Sequence, residues 1–406
     1  MDEPASSPAA GLGEPLDPDG DKAPTSAMPT WARGLLALAA LYLFISSVGS
    51  IGVGLKCVAQ DQAGKEFLHW LFGLVSDPLT GVFIGLLVTS LVQSSSLTTS
   101  MTVGLVASGD VPLAWAIPIV MGANVGTSVT NLLVSMAHVR RRGEFRRALG
   151  GAVVHDFFNV LSVLVLLPLE CAFGVISRLT GLIAKGLGGT SFFHAGAGQQ
   201  VGLLKSAFGL VGGLLRWLLM EVLGVSPMAS GAVIAGLALV ILFVSLWVLV
   251  KMLRGLLQDR LSGMFSRSLF RNAGIAFTVG IITTAAVQSS SVTTSMVVPL
   301  VGAGILTLRQ IYPYTLGANI GTTVTAILAA LGTGSAAAMA CAMGHLLFNV
   351  FGTVIFWPLQ FIPISLAKGF ARVASERRII AVLFLIGLFF VLPIAGVVLA
   401  KLVLRW

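Results

Sequence analysis

Long apolar runs separated by short polar segments fill the sequence after residue 30. Seven of these runs are about 20 residues or longer, the length at which a helix crosses the roughly 30 Å hydrocarbon core of a bilayer. They cover 33–55, 113–137, 149–176, 229–250, 310–331, 336–364 and 379–404. The pattern predicts an all-α integral membrane protein with at least seven crossings.

Two further apolar stretches, 70–108 and 269–304, are each interrupted at the centre by almost the same polar string. The string is Gln93-Ser-Ser-Ser-Leu-Thr-Thr-Ser-Met101 in the first stretch and Gln288-Ser-Ser-Ser-Val-Thr-Thr-Ser-Met296 in the second. Backbone can break at membrane depth only where protein or a water-filled cavity satisfies its polar groups. We therefore predict two re-entrant helical hairpins with their tips at these strings; a pair of complete crossings in each stretch is the alternative.

The repetition extends well beyond the polar strings. Gly122–Thr130 matches Gly317–Thr325 at the same offset of 195 residues, and His155–Asn159 matches His345–Asn349 after a slip of five. The sequence therefore contains two copies of about 140 residues. A copy with a re-entrant hairpin crosses the membrane three times, so the second copy enters from the opposite side. Such inverted-topology repeats place a binding site near the membrane midplane, where the two copies meet.

This repeat divides the chain into six parts. They are an acidic, disordered cytoplasmic tail (1–30), a first transmembrane repeat (31–176), an extracytoplasmic connector (177–227), a second transmembrane repeat (228–366), a basic cytoplasmic loop (367–378) and a C-terminal transmembrane helix (379–406). The tail is predicted to be disordered because it combines acidic residues with Pro, Ala, Ser and Gly.

Composition supports the membrane assignment. Hydrophobic residues make up 56% of the chain and charged residues only 10%, with a mean hydropathy of +0.95, whereas about a quarter of the residues of a soluble domain are charged. The net charge of +9 comes from basic loops that fall on one side, so it predicts a cytoplasmic amino terminus and no nucleic-acid partner. Three scattered cysteines give no disulfide framework and no metal spacing. Oligomeric state stays open.

The two polar strings have the chemistry of an oxyanion site. A helix that restarts after a tip offers unpaired N–H groups and the positive end of its dipole, and serine hydroxyls can turn to donate. The candidate residues are Gln93, Ser94, Ser95, Ser96, Ser289, Ser290 and Ser291. No Lys or Arg lies between positions 79 and 109 or between 272 and 308. A bound anion must therefore be neutralised by a co-bound cation.

The segments that follow the hairpins carry oxygen ligands on one helical face. These residues are Asn124, Thr127, Ser128 and Asn131 in the first copy and Asn319, Thr322 and Thr323 in the second, with Thr130 and Thr325 as a further matched pair. Neutral oxygens suit sodium and bind transition metals poorly. Ala326 replaces Asn131, so we expect the two copies to bind sodium unequally. Sodium is the one metal implied, as a coupling ion, and no cofactor is required.

Other interpretations of these residues remain. Ser, Thr and Gly also mediate close packing of membrane helices. His155-Asp156 is compatible with a proton relay, or with an intramembrane serine hydrolase, but His345 lacks a neighbouring acid, and a structural role is the alternative. The basic cluster Arg140–Arg147 is interpreted as a topology anchor that contacts anionic membrane lipid.

Several strings resemble the type II sodium/phosphate cotransporter family. They are Gln-Ser-Ser-Ser in both halves, Pro118–Asn131, Glu144–Arg147, Val154–Asn159, Leu164–Glu170 and Tyr312–Leu331. The resemblance covers roughly 31–176 and 228–378. It implies a symporter that imports inorganic phosphate with sodium by alternating access, with phosphate bound between the paired tips.

Carried over residue by residue, the resemblance implies a sodium site in the second copy, made by Gln288, Ser289, Thr322, Thr325 and the backbone near Ala318. The connector has no Cys and no Asn-x-Ser/Thr site, unlike the glycosylated, disulfide-bearing outer loop of animal members, and a last helix and tail of those proteins are also missing. These departures imply a bacterial-type member in the inner membrane. Symport of another oxyanion, sulfate or arsenate, is the alternative, and a scaffold without transport activity is a more distant one.

Overall fold

The computed structural model describes residues 28–58, 60, 62–64, 66, 77–188, 210–264 and 269–404. These residues form helices and contain no strand. Seven helices are long and apolar enough to cross a membrane, and they coincide with the seven apolar runs of the sequence. The chain is therefore an all-α, multi-pass membrane protein. The predicted tail lies outside the described residues, except for its last three, as does the middle of the connector.

The first copy contains α1 to α6, and α7 lies in the predicted connector. Their bounds are Thr30–Val58, Pro78–Val92, Ser95–Ser108, Leu113–Gly126, Val129–Met136, Arg142–Phe173 and Val175–Gly188. A π-helical segment, Trp217–Val222, precedes the second copy. The second copy contains α8 to α13, at Pro227–Met264, Ala273–Val287, Ser290–Gly302, Leu308–Thr333, Ala336–Phe356 and Phe361–Glu376. The C-terminal helix consists of α14 (Ile379–Ile386), a π-helical turn (Gly387–Val391) and α15 (Leu392–Leu404).

Helix starts follow local capping signals. Asp77 caps α2 and forms a capping box with Thr80. Asn272 caps α9 at the equivalent place in the second copy, and Thr307 caps α11. Each cap accepts hydrogen bonds from N–H groups that the first turn of a helix leaves unpaired, which contributes about 1 kcal/mol. Local sequence thus determines where α2 and α9 begin.

Each of the two apolar stretches with a central polar string folds as two helices with a break at a glutamine. We call α2 and α3 hairpin 1 (residues 78–108) and α9 and α10 hairpin 2 (residues 273–302); the breaks lie at Gln93 and Gln288. The second helix of each hairpin packs against the opposite copy, α3 on α11 and α12, and α10 on α5 and α6. The hairpins therefore lie between the copies. Their re-entrant course through the membrane and the inverted topology stay predictions.

Glycines bring the first helix of each hairpin against the ligand-bearing helix of the same copy. A Cβ on Gly122 would lie 1.9 Å from the carbonyl oxygen of Val82, and one on Gly317 would lie 2.0 Å from that of Phe277. Real side chains never approach so closely, so only glycine fits at these two positions. This packing fixes the distance between the tips and the helices that carry the predicted cation ligands.

Three details differ from the prediction. The segment 367–378, predicted to be a basic loop, is helical up to Glu376, because α13 buries Ala367, Ala371 and Ala374 along one face while its basic residues stay exposed. The loop prediction is wrong there. The apolar run 336–364 also divides, since α12 ends at Phe356. The matched segments after the hairpins differ too: the first is broken at residues 127–128 between α4 and α5, whereas α11 is continuous.

Candidate functional site

The two glutamines end the first helix of each hairpin in the same unusual conformation. Gln93 and Gln288 have φ of 58° and 57°, and they are the non-glycine residues with positive φ in the described chain. This left-handed conformation costs about 1 to 2 kcal/mol for a residue with a Cβ. In both copies the glutamine N–H donates at 2.7 Å to the carbonyl four residues earlier, and the side-chain amide donates to the carbonyl three residues earlier. The side chain therefore holds the turn that it occupies.

The first serine of each string starts the second helix. Ser94 and Ser289 are extended, and their hydroxyls accept hydrogen bonds from the N–H groups of Leu97 at 3.2 Å and Val292 at 3.4 Å. The next two serines of each string are buried in the first turn. N–H groups of that first turn have no intrahelical acceptor, so each tip presents amide and hydroxyl donors at the positive end of a helix dipole.

The two hairpins meet at their tips. The Ser96 hydroxyl lies 3.5 Å from the carbonyl oxygen of Gln288, and the Ser291 hydroxyl donates at 3.3 Å to the carbonyl of Thr127. That carbonyl is available because the helix is interrupted there. Ser96 and Ser291, two of the serines predicted to bind an oxyanion, thus lie at contacts between the two copies.

Each glutamine is also tied to the helix beside it. Gln288 Oε1 accepts the Thr325 hydroxyl at 2.7 Å, and Gln93 Oε1 accepts the Thr130 hydroxyl at 3.1 Å. The Thr322 hydroxyl donates to the carbonyl of Ala318 at 3.0 Å, and Thr127 repeats this bond with Ala123 at 3.1 Å. Both copies therefore hold neutral oxygens close to the glutamine.

The surroundings of these oxygens differ between the copies. Gln93 is exposed, whereas Gln288 is only 6% exposed and Thr325 is fully buried. The oxygens of the second copy are therefore shielded from water, which raises their electrostatic effect on a cation. The described residues contain no group of three or more His, Cys, Asp or Glu that could hold a metal ion.

A buried network of histidines and asparagines joins the two copies crosswise. His155 of the first copy hydrogen-bonds Asn319 of the second through Nε2, and His345 of the second copy lies 3.3 Å from Oδ1 of Asn124 of the first. Asn159 donates to the Asn124 carbonyl at 3.0 Å and accepts from Asn319 at 2.8 Å. All of these side chains are almost completely inaccessible to solvent. The network ties both ligand-bearing helices to the helices α6 and α12.

This network also includes two predicted sodium ligands. The amide oxygens of Asn124 and Asn319, which the sequence offered as cation ligands, already have histidine partners. Asn349, at 3.4 Å, is a second partner of Asn124. The bonds of His155 within this network favour a structural role for this residue over a proton relay. The sequence does contain the signal for this network, since His and Asn recur four residues apart in both copies and so share one helix face.

A second link between the copies has no counterpart. Asn131 and Thr294 exchange two hydrogen bonds, 2.9 and 3.1 Å long, between α5 and hairpin 2. Ala326 occupies the matching position of the second copy and can form no such bond. Hairpin 2 therefore has a side-chain link to the first copy that hairpin 1 lacks to the second.

The geometry does not assemble a serine hydrolase. His155 Nδ1 lies 3.3 Å from the hydroxyl of Ser128, which is not one of the tip serines. Both carboxylate oxygens of Asp156 are buried and have no hydrogen-bond partner within the described residues, so the acid does not orient the imidazole as a triad requires. Asp156 is instead a buried carboxylate near the Ser128 hydroxyl that forms no hydrogen bond of good geometry within the described residues, which is energetically costly.

Comparison with known proteins gives a consistent result. The family model described as Na+/Pi-cotransporter matches residues 43–211 and 241–357. Sodium-dependent phosphate transport protein 2B of Bos taurus is 34% identical over 450 residues, which cover 89% of this chain and 64% of that protein. Protein 2A of Rattus norvegicus is 34% identical over 427 residues, covering 88% of this chain and 66% of that protein.

The human 2B protein is 33% identical over 451 residues, covering 89% of this chain and 64% of its own length. The chain thus spans a little under two thirds of the length of these relatives. The search of solved structures gave no significant match. The paired tips lie inside the two matched segments, so the family signal and the site geometry concern the same residues, and the chain belongs to the Na+/Pi-cotransporter family.

Proposed function

We propose that this protein is a sodium-coupled symporter that imports inorganic phosphate by alternating access. The observation that carries the proposal is the meeting of the two tips, where Ser96 of hairpin 1 contacts the backbone of Gln288 in hairpin 2. A tetrahedral oxyanion bound there would receive donors from both copies. The relatives named as sodium-dependent phosphate transport proteins support phosphate as the oxyanion.

In this proposal the phosphate ligands are Gln93 and the serines of both strings, Ser94, Ser95, Ser96, Ser289, Ser290 and Ser291. The donors are hydroxyls and first-turn N–H groups, which act on an anion through hydrogen bonds and the helix dipole. Neither hairpin contributes a cationic side chain, because no Lys or Arg lies within residues 80–108 or 273–307. The site therefore has donors for phosphate but no fixed charge to neutralise it.

Sodium supplies that charge. The proposed sodium ligands are Gln288 Oε1, the hydroxyls of Ser289, Thr322 and Thr325, and the carbonyl of Ala318. The bonds from Thr325 to Gln288 and from Thr322 to Ala318 already hold four of these oxygens in place. Thr127 and Thr130 repeat part of this arrangement around Gln93, in a more exposed setting. Asn124 and Asn319 complete the proposed set: their amide oxygens have histidine partners, just as Gln288 Oε1 accepts a bond from Thr325, and an amide oxygen has two lone pairs.

Coupling follows from charge. Two unit charges about 4 Å apart attract by about 4 kcal/mol at an effective dielectric constant of about 20. This corresponds to a roughly thousandfold gain in phosphate affinity when sodium is bound. This attraction alone couples phosphate transport to sodium, because phosphate binds poorly to a site that lacks its cation.

The exposure of the two tips fits one end state of an alternating-access cycle. Gln93 and Gln288 have the same backbone conformation, yet the first is exposed and the second is buried.

We further propose that the protein lies in a bacterial inner membrane with its amino terminus in the cytoplasm, which is supported by the basic segments on one side and by the connector without cysteine or glycosylation site.

Uptake of labelled phosphate into proteoliposomes tests the function. We expect uptake with an inward sodium gradient and none above protein-free vesicles when choline replaces sodium; equal uptake in choline would disprove the proposal. Competition by unlabelled sulfate and arsenate distinguishes phosphate from the other oxyanions, since a sulfate transporter would be inhibited most strongly by sulfate.

A pair of serine variants tests the site. Ser291→Ala removes a tip hydroxyl that donates to the carbonyl of Thr127, and Ser295→Ala removes one that donates to a carbonyl of its own helix, at 2.8 Å. We expect the KM for phosphate to rise about tenfold in the first variant, the effect of losing one hydrogen bond to a charged group, and less than about twofold in the second. Equal effects would place the phosphate elsewhere.

A further inference from the structure

A basic pocket lies at the other end of hairpin 2 from its tip. Its volume is about 430 Å³, and Val301 and Gly304, at the end of α10 and just after it, form part of its wall. Since α10 has 13 residues and a helix rises 1.5 Å per residue, the pocket is about 20 Å from the tip. It is therefore distinct from the proposed transport site.

Five cations converge on this pocket from three helices. Arg146 and Arg147 come from α6, Arg309 from α11, and Lys368 and Arg372 from α13. No acidic residue lines it. The nearby ion pairs, Arg141 with Glu144 and Arg142 with Glu376, both at 2.9 Å, use basic residues outside the lining, and within the described residues none of the five is paired with an acid. All five side chains are exposed, so water and salt screen part of their mutual repulsion, and an anion bound in the cavity would remove the remainder.

One helix end adds to this unfavourable arrangement. Arg309 is the second residue of α11 and so lies in its first turn, where the helix dipole acts. Helix N-termini carry partial positive charge, which disfavours cations and favours anions. A topology signal requires basic residues on one side of the membrane, but it does not require five of them to face one cavity. A ligand explains the convergence.

The size and charge of the pocket indicate the class of ligand. Its volume lies within the range of about 300 to 1,000 Å³ that small-molecule sites occupy. One phosphate group carries about two negative charges at neutral pH, so a single group would leave most of the positive charge of the pocket unbalanced. Arginine also favours phosphate because its planar guanidinium donates two parallel hydrogen bonds.

We propose that this basic pocket binds an anion with two or more phosphoryl groups, supplied either by the headgroup of a diphosphorylated membrane lipid or by a soluble diphosphate. The pocket is linked to hairpin 2 because Arg147 Nε donates at 2.8 Å to the carbonyl of Gly302, the last residue of α10. A ligand that bridges Arg147 and Arg309 would fix the loop between α10 and α11 and hold the base of the hairpin against α6 and α13.

Binding to the full-length protein in nanodiscs tests the proposal. One arm uses neutral phosphatidylcholine discs in sodium-free potassium buffer, where the transport site has no cation, and measures binding of pyrophosphate and orthophosphate by calorimetry. The second arm uses native mass spectrometry to measure which lipid stays bound to the protein. One set of discs contains cardiolipin, which has two phosphates, and the other contains phosphatidylglycerol at the same total charge. Pyrophosphate binding identifies a soluble ligand and preferential cardiolipin retention identifies a lipid; either result supports the site.

Matched variants locate the binding. Arg309→Gln with Lys368→Gln removes two charges of the pocket lining, and Arg377→Gln with Arg378→Gln removes two equally exposed charges outside the lining. We expect the pocket variant to weaken binding about tenfold, because each charge-assisted hydrogen bond at a partly exposed site contributes a factor of several, and the control variant to change it less than about twofold. Equal weakening by both variants, or no preference for the doubly phosphorylated probe in either arm, would overturn the proposal.

Discussion

Removal of the Gln288 side chain provides a sharp test of the sodium site, with Gln93→Ala as the matched control. Both residues have φ near 58°, so alanine suffers the same backbone penalty of about 1 to 2 kcal/mol in either place. Both also lose the same side-chain bond to the helix that they end. Any difference between the variants therefore reports the surroundings of the lost amide oxygen.

The expected difference follows from burial. Gln288 is 6% exposed, so water cannot replace its oxygen as a sodium ligand. The loss should cost about 1.5 to 3 kcal/mol, the range for hydrogen bonds to charged groups, which is a 10- to 150-fold rise in the sodium concentration that gives half-maximal uptake. Gln93 is exposed, water can take its place, and the cost should stay below about 1 kcal/mol, or about fivefold.

The assay is phosphate uptake into proteoliposomes at saturating phosphate, with the external sodium concentration varied and the membrane potential clamped. Sodium-dependent thermal unfolding of the purified variants gives an independent measure of binding. Equal shifts in the two variants would show that the copies bind sodium equivalently. A larger shift in Gln93→Ala would place the principal sodium site in the first copy and refute the assignment made from burial.

Three further predictions concern the packing between the copies and the buried acid. Gly317→Ala should lower the free energy of unfolding by more than about 3 kcal/mol, and the unfolding temperature with it, because the new Cβ meets a backbone oxygen at 2.0 Å. Gly369→Ala is the control: a Cβ there has nothing within 4 Å, so the unfolding temperature should change little. A double-mutant cycle with Asn131→Ala and Thr294→Val should give a coupling of about 1 to 2 kcal/mol in thermal unfolding, whereas additive losses would show that their hydrogen bonds contribute nothing. Asp156→Leu should raise the unfolding temperature without sodium, since it removes a buried carboxylate that forms no hydrogen bond of good geometry in the described chain; a lower unfolding temperature would show that the carboxylate is satisfied.

Much of the site could be predicted from the sequence because its signals are local. A polar string within an apolar stretch predicts a helix break, and the structure has that break at Gln93 and Gln288. Oxygen-bearing residues three and four positions apart predict one helix face, and Thr322 and Thr325 lie on the same helix as expected. The apolar runs predicted all seven candidate spans, because length and hydropathy are properties of each segment alone.

What could not be predicted depends on contacts between distant segments. Asn124 and Asn319 have the residue type of a sodium ligand, and only the approach of His345 and His155 shows that their amides also have histidine partners. The helix interruption after Gly126 is a further example. The matched sequence after Gly321 is nearly the same but forms a continuous helix. The local sequence therefore does not predict the break, which coincides with the bond from Ser291 of hairpin 2 to the Thr127 carbonyl.

The crosswise exchange between histidine and asparagine has a consequence for synthesis of the protein in the cell. The first copy enters the membrane before the second has been translated, and at that moment His155 and Asn124 both lack the partners that the second copy supplies. Buried polar groups without partners are costly in a lipid environment. Until the second copy is inserted, the helices of the first copy therefore bury polar groups that lack part of their partners, so these helices must stay loosely packed or be shielded by the insertion machinery.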